Sequence, residues 1–167
     1  MGLSATIDAQ IAYNLSGSPD FGAASHKYDG WGTRDLSSGV AAQQADRIYS
    51  KTITLAASAN QDIDLAGALL DPIGGSAVFA KVKAIAIRAR DANTNNVVVG
   101  AAASNGFVGP FGAATHTIAV PPGGNMMITA PASGWAVTAG TGDLLRVANS
   151  GAGTSVTFDL IIIGTSS

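Results

Sequence analysis

The sequence predicts an all-β chain, an antiparallel β-sandwich preceded by an extended N-terminal arm. Three observations carry that expectation. Apolar and polar residues alternate with a period of two in many short runs, the pattern of strands with one face in a core. Turn-forming residues punctuate those runs at the spacing of sandwiches and barrels. The 21 glycines among 167 residues, with many Ala, Ser, Thr and Asn, favour tight turns over helices.

The clearest strand is Thr154–Gly164, TSVTFDLIIIG, in which Val156, Phe158, Leu160 and Ile162 alternate with Thr157, Asp159 and Ile161. Its last part, Leu160–Ile163, is apolar on both faces. That predicts a central strand, or one covered by another subunit. Near the other end, Ala5–Ser16 sets Ile7, Ile11, Tyr13 and Leu15 against Asp8, Gln10 and Asn14, and reads as a strand. Gly17–Asp20 is a turn. Phe21–Gln44 is long, rich in Gly, Ser, Ala and Gln, and without periodicity, with His26, Tyr28 and Trp31 spaced along it. Such a stretch in a small domain is a functional loop or an arm, and the expectation is an arm that lies on a neighbour. The chain therefore divides into residues 1–48, strand and arm, and residues 49–167, the sandwich.

From Asp46 onward the pattern is regular. Lys51–Ala57 and Gln61–Ala66 alternate, and Pro72 with Gly74-Gly75 then breaks the chain. Ala77–Asp91 is the longest strand candidate, with Phe79, Ile85 and Ile87 sharing a face with Lys81 and Lys83. Its Ala, Lys and Arg content also suits a helix, but the Ile/Val alternation and the Asn93–Asn96 turn decide for strand. That turn leads to Val97–Ala101, so the pair reads as a hairpin. Thr115–Val120, Met126–Thr129, Trp135–Val137 and Leu144–Ala148 complete eight or nine strands. A jelly roll is the topology that fits this set best.

Hydrophobic residues make up 47% of the chain and charged residues 12%, about half the usual charged share. A surface so poor in charge points to extensive contact with other protein. With a net charge of −2 and no basic patch, phosphate neutralisation on nucleic acid is not expected. There is no cysteine, which removes disulfides, thiolate metal sites and a cysteine nucleophile. No basic stretch followed by an apolar run opens the chain, and no apolar run reaches membrane-span length, so neither a signal peptide nor a membrane partner is expected. Met1-Gly2 with Thr6, and Asn14-Leu15-Ser16, match loose acylation and glycosylation patterns that arise often by chance.

Catalytic chemistry finds little purchase. Of the two histidines, His26 lies in the expected arm, and His116 shares parity with Ile118 and Val120, which predicts a partly buried strand residue. No nucleophile elbow is present. Asp62, Asp64 and Asp71 are the one local carboxylate cluster, and Asp62 and Asp64 read as the solvated face of a strand, without the glycine turn of a calcium loop. The Gly-rich stretches lack the lysine and the strand-then-helix setting of a phosphate loop. No enzyme activity, cofactor or metal is expected. Trp31, Trp135, Phe107 and Phe111 all fall in loops, where they serve either to stack on sugars or, more commonly, to anchor a subunit interface or the rim of the sandwich.

Three segments carry a resemblance: Gln44–Tyr49 (QADRIY), Leu55–Gly67 (LAASANQDIDLAG) and Asp143–Gly151 (DLLRVANSG). From about Gln44 to the C-terminus the chain resembles small structural proteins of tailed bacteriophages, akin to capsid cement or decoration proteins. The resemblance implies a β-sandwich module, often trimeric, that clamps neighbouring capsomers from outside. It implies the major capsid protein and the chain itself as partners, a place on the capsid surface of the virion, and synthesis in the host bacterial cytoplasm. It brings no motif from which functional residues carry over. Because aromatics and arginine dominate interfaces, Tyr28, Trp31, Arg47 and Tyr49 are the expected partner contacts. The alternative reading is a receptor- or glycan-binding module of a tail or head fibre, using the aromatic loops.

Overall fold

The computed structural model describes residues 2–17, 23–30 and 32–167. Among them the chain is all-β, with several antiparallel sheets and no helix. The N-terminal region holds β1 (Ala5–Asp8), β2 (Ile11–Gly17), β3 (Ala24–Gly30), β4 (Thr33–Ser38) and the short β5 (Gln44–Ala45). The body holds β6 (Arg47–Leu55), β7 (Asn60–Asp64), β8 (Lys81–Ala89), β9 (Val97–Gly100), β10 (Thr117–Val120), β11 (Asn125–Thr129), β12 (Trp135–Ala136), β13 (Leu144–Asn149) and β14 (Val156–Thr165).

Two sheets form the body. One runs β11-β8-β14-β6, with β12 also on β8, and the other runs β10-β9-β13-β7. Side chains from both fill one apolar core, among them Phe158, Leu160, Ile85 and Ile162 from the first and Val97, Val99, Leu145 and Val147 from the second. The body is thus sandwich-like. β14 is an inner strand, hydrogen-bonded to β6 on one side and β8 on the other. Its Val156, Phe158, Leu160 and Ile162 are all fully buried, as the alternation predicts.

The alternation of β8 is interrupted. Ile163 pairs with Ala84 and Gly164 with Val82, so Lys83 has no partner on β14 and the strand bulges there. Val82 therefore joins the core in step with Ile85, and the face expected to run from Phe79 through Lys81 and Lys83 to Ile85 does not exist. Lys83 is buried at the bulge, where its Nζ donates to the carbonyls of Pro131 (3.3 Å) and Ala132 (2.6 Å). Burial, with repulsion from Lys81, lowers its pKa.

The Asn93–Asn96 turn does not close a hairpin. β8 and β9 belong to different sheets, and the turn carries the chain between them. Its asparagines are satisfied by the neighbouring loop instead: Asn93 Nδ2 donates to Thr157 O (2.9 Å), Thr157 N to Asn93 Oδ1 (2.8 Å), and Asn95 Nδ2 to Asn149 Oδ1 (3.0 Å). These bonds compete with the hairpin geometry that an Asn-rich turn otherwise suggests.

The N-terminal region also departs from expectation. The described part of Phe21–Gln44 is not a lone arm but the return limb of a β-ribbon. β1 pairs with β4 from Ala5↔Leu36 to Asp8↔Thr33, and β2 pairs with β3 from Ile11↔Gly30 to Gly17↔Ala24. Two residues on each limb separate the ladders, so both halves keep one register and one set of faces. At the ribbon base, Ile7, Leu36 and Ala45 pack with Ala84 and Ile163 on the outer face of the β11-β8-β14-β6 sheet, closing a second, smaller core. That contact covers the outward side of Ile163, the apolar-on-both-faces part of β14.

Gly164 is required where β14 meets the bulge. A Cβ there would collide with the carbonyl oxygen of Lys81 and stand 2.8 Å from the Phe79 ring. Gly164→Val should therefore cost about 1–3 kcal/mol of stability, read as a lower urea midpoint with an unchanged slope.

Candidate functional site

The feature that stands out is the distal half of the ribbon. Period-two alternation puts Ile11, Tyr13 and Leu15 of β2 on the same face as His26 and Tyr28 of β3, with Tyr13 directly opposite Tyr28. Their relative exposures are high for such side chains: Ile11 50%, Tyr13 48%, Leu15 66% and Tyr28 41%. The rings order one another. Tyr13 stacks on Tyr28 at 5.8 Å between centroids and on His26 at 5.6 Å, and its hydroxyl lies 3.1 Å from His26 Nδ1. The Tyr28 ring also lies over Gly30, where a Cβ would come within 2.5 Å of it, so the glycine opposite Ile11 leaves room for the aromatic.

The other ribbon face is polar and cross-linked. Thr6 Oγ1 donates to Asp35 (2.8 Å), Thr33 Oγ1 to Asp8 (3.2 Å) and Gln10 Nε2 to Asp29 (2.5 Å). The ribbon is therefore amphipathic along its length. Its apolar face is buried at Ile7 and Leu36, interrupted by the exposed Arg34 opposite Ile7, and bare beyond it.

At the ribbon root lies a cleft of about 410 Å3, lined by Leu3, Ile48, Pro72 and Ile73 with Asp46, Arg47 and Asp71 among them. Ile73 is 74% exposed. Arg47 is half-buried; its Nη1 donates to Asp46 O (3.0 Å) and Oδ2 (3.2 Å), while its buried Nε has no partner. Asp71 holds its own turn, accepting from Ile73 N (2.9 Å) and Gly75 N (2.8 Å).

The four expected contact residues are not brought together. Tyr28 is exposed on the ribbon and Arg47 borders the cleft. Tyr49 is only 6% exposed and packs in the main core, so its ring presents no surface to a partner. Trp31 lies outside the described residues. Tyr13, Ile11 and Leu15 were legible as one face of a strand, but their neighbourhood with Tyr28 depends on a pairing that no local pattern reveals.

The other candidates fall into structural roles. Phe107 is buried, while Phe111 and Trp135 pack against the core, so the loop aromatics do not share an open face. His116 is exposed just before β10, not partly buried in it, with Nδ1 2.8 Å from the Phe111 carbonyl. Asp62 accepts two 2.8 Å hydrogen bonds from Arg146, and that bonding holds the guanidinium more firmly protonated. Asp64 Oδ1 accepts from Ala66 N (3.1 Å). Among the described residues no three His, Asp or Glu side chains are grouped to hold a metal ion. No protein-family model, curated protein or solved structure matches the chain.

The tyrosines should separate by role. Tyr13→Ser with Tyr28→Ser should leave the unfolding free energy of the body within about 0.5 kcal/mol, whereas Tyr49→Ala should cost about 3–5 kcal/mol; urea titrations compare them. Burial raises the Tyr49 pKa. The folded chain then keeps that proton to higher pH than the unfolded chain, so the stability linked to it is intact below the ordinary tyrosine value and is lost as pH rises through the folded one. Tyr49→Phe should remove the highest-pH step in tyrosinate absorbance.

Proposed function

We propose that this chain is a non-enzymatic virion structural protein that binds and reinforces a tailed-phage capsid shell, as a decoration protein does. In this reading it sits on the outside of the major capsid protein as a homo-oligomer, with three copies the expected number. The observation that carries it is the bare apolar face of the ribbon. An isolated two-stranded ribbon is marginal in water, and exposed aromatic and aliphatic side chains in a row are the anchors that interfaces use. The sparse charge of the chain supports the same reading.

The fold reading belongs with it. We take the body to be a jelly roll, with the β6-β14-β8-β11 and β7-β13-β9-β10 strand orders in its support. Setting aside the short β12, which lies on β8 in the same sheet as β11, consecutive strands pass from one sheet to the other except at β9–β10, which pair directly. That is the pattern of two Greek keys folded together. Such a body is a rigid block from which a ribbon can reach a neighbour. Repeated over many copies, apolar burial worth about 25 cal/mol per Å2 would oppose separation of the capsomers beneath.

Staged dissociation of purified particles tests the proposal. The chain should be released in tens to hundreds of copies per particle, in the range of shell-covering proteins, and particles lacking it should rupture under milder heating. Release of only a few copies, with loss of adsorption and heads of normal strength, would instead favour a receptor-binding role.

A further inference from the structure

We propose that the distal half of the ribbon docks into the root cleft of a second copy of this chain, so that copies join head to tail. The contact rests on the self-association named above and not on contact with the shell. Three observations carry it.

The first is continuity. One face runs the length of the ribbon in a single register, and its base half already buries Ile7 and Leu36 against Ala84 and Ile163. The distal half presents Ile11, Tyr13, Leu15 and Tyr28 in the same phase, over seven residues per limb, or about 23 Å. A surface of the same chemistry is what would complete it.

The second is the cleft. Leu3, Ile48, Pro72 and Ile73 line it, with Asp46 and Arg47 paired to each other and Asp71 bonded into its own turn, and Ile73 has the highest exposure among the large hydrophobic side chains described. Lys27 and Asp29 alternate with His26 and Tyr28, so they point away from the apolar face, and docking would trap neither charge.

The third is placement. Leu3 and Ile48 both pack against the smaller core and both line the cleft, at the β6 edge of the sheet. The ribbon then crosses Ile163 of β14 and Ala84 of β8, and Ala9 and Arg34 come beside Met127 and Thr129 of β11, the opposite edge. Donor face and acceptor cleft thus lie at opposite edges of one sheet. That polarity suits a heterologous contact, which closes into a ring when the rotation allows. A ribbon-on-ribbon pair would leave Ile73 and the cleft bare.

The test is a mixing experiment on the full chain, read by light scattering after size-exclusion. Wild type should have a mass that is a multiple of 16.6 kDa. A donor variant, Tyr13→Ser with Tyr28→Ser, and an acceptor variant, Ile73→Glu, should each be monomeric, with unchanged circular dichroism. Mixed, they should form pairs of twice the monomer mass, since one working ribbon meets one working cleft and no ring can close. Ser76→Arg, which obstructs the same cleft, is a second acceptor variant should Ile73→Glu fail to fold. Monomeric wild type, an acceptor variant of wild-type mass, or a mixture that stays monomeric would each overturn the proposal. Pairing in the mixture by a protein that does not bind heads would sustain this contact while removing the shell reading.

Discussion

A two-stranded ribbon cannot cover its own apolar face, and the organisation of this molecule follows from where that cover comes from. At the base it comes from the body: the outer face of the β14 sheet offers Ala84 and Ile163, and Ile7 and Leu36 settle on them. Past β11 there is no sheet beneath the ribbon, yet the phase of its side chains does not change. Tyr13, Tyr28 and His26 stack on one another, which shields part of each ring. The outward surface of Ile11 and Leu15 remains in water, at about 25 cal/mol for each Å2 of apolar area.

The body is what makes such a projection tolerable. β14 lies between β6 and β8 with one face in the main core and part of the other beneath the ribbon. The bulge at Lys83 lets β8 serve both layers: it keeps Val82 and Ile85 pointing into the main core while Ala84 faces the ribbon base. Gly164 allows the backbones of β14 and the segment around Lys81 to approach closely at that point. Sheet, bulge and ribbon root are therefore mechanically one unit, and the ribbon leaves it in a defined direction.

Much of the body was legible in the sequence because period-two alternation is a local signal. The alternation from Val156 to Ile162 announced a strand with one face in the core, and the runs at Lys51–Ala57, Gln61–Ala66 and Leu144–Ala148 sit within a residue or a few of β6, β7 and β13. What the sequence hid was non-local. Asn93–Asn96 resembles a hairpin turn until Asn149 and Thr157 are seen to take its side chains. Lys83 reads as sharing a face with Phe79 and Ile85 until the bulge shifts the phase and aims it at two carbonyls. Tyr49 was chosen as a contact by residue type, and burial decided otherwise. The ribbon is the largest case: its return limb carries few apolar residues of its own, and only pairing with β2 assembles Tyr28, Tyr13 and Leu15 into one surface.

Hydrogen exchange at the ribbon amides tests the central claim, that the distal ribbon is completed by a partner. In dilute protein the amides of Ile11–Gly17 and Ala24–Gly30 should exchange much faster than those of Ala5–Asp8, and should slow toward them as the chain assembles. Distal amides as protected in dilute protein as the base, or unchanged on assembly, would contradict it.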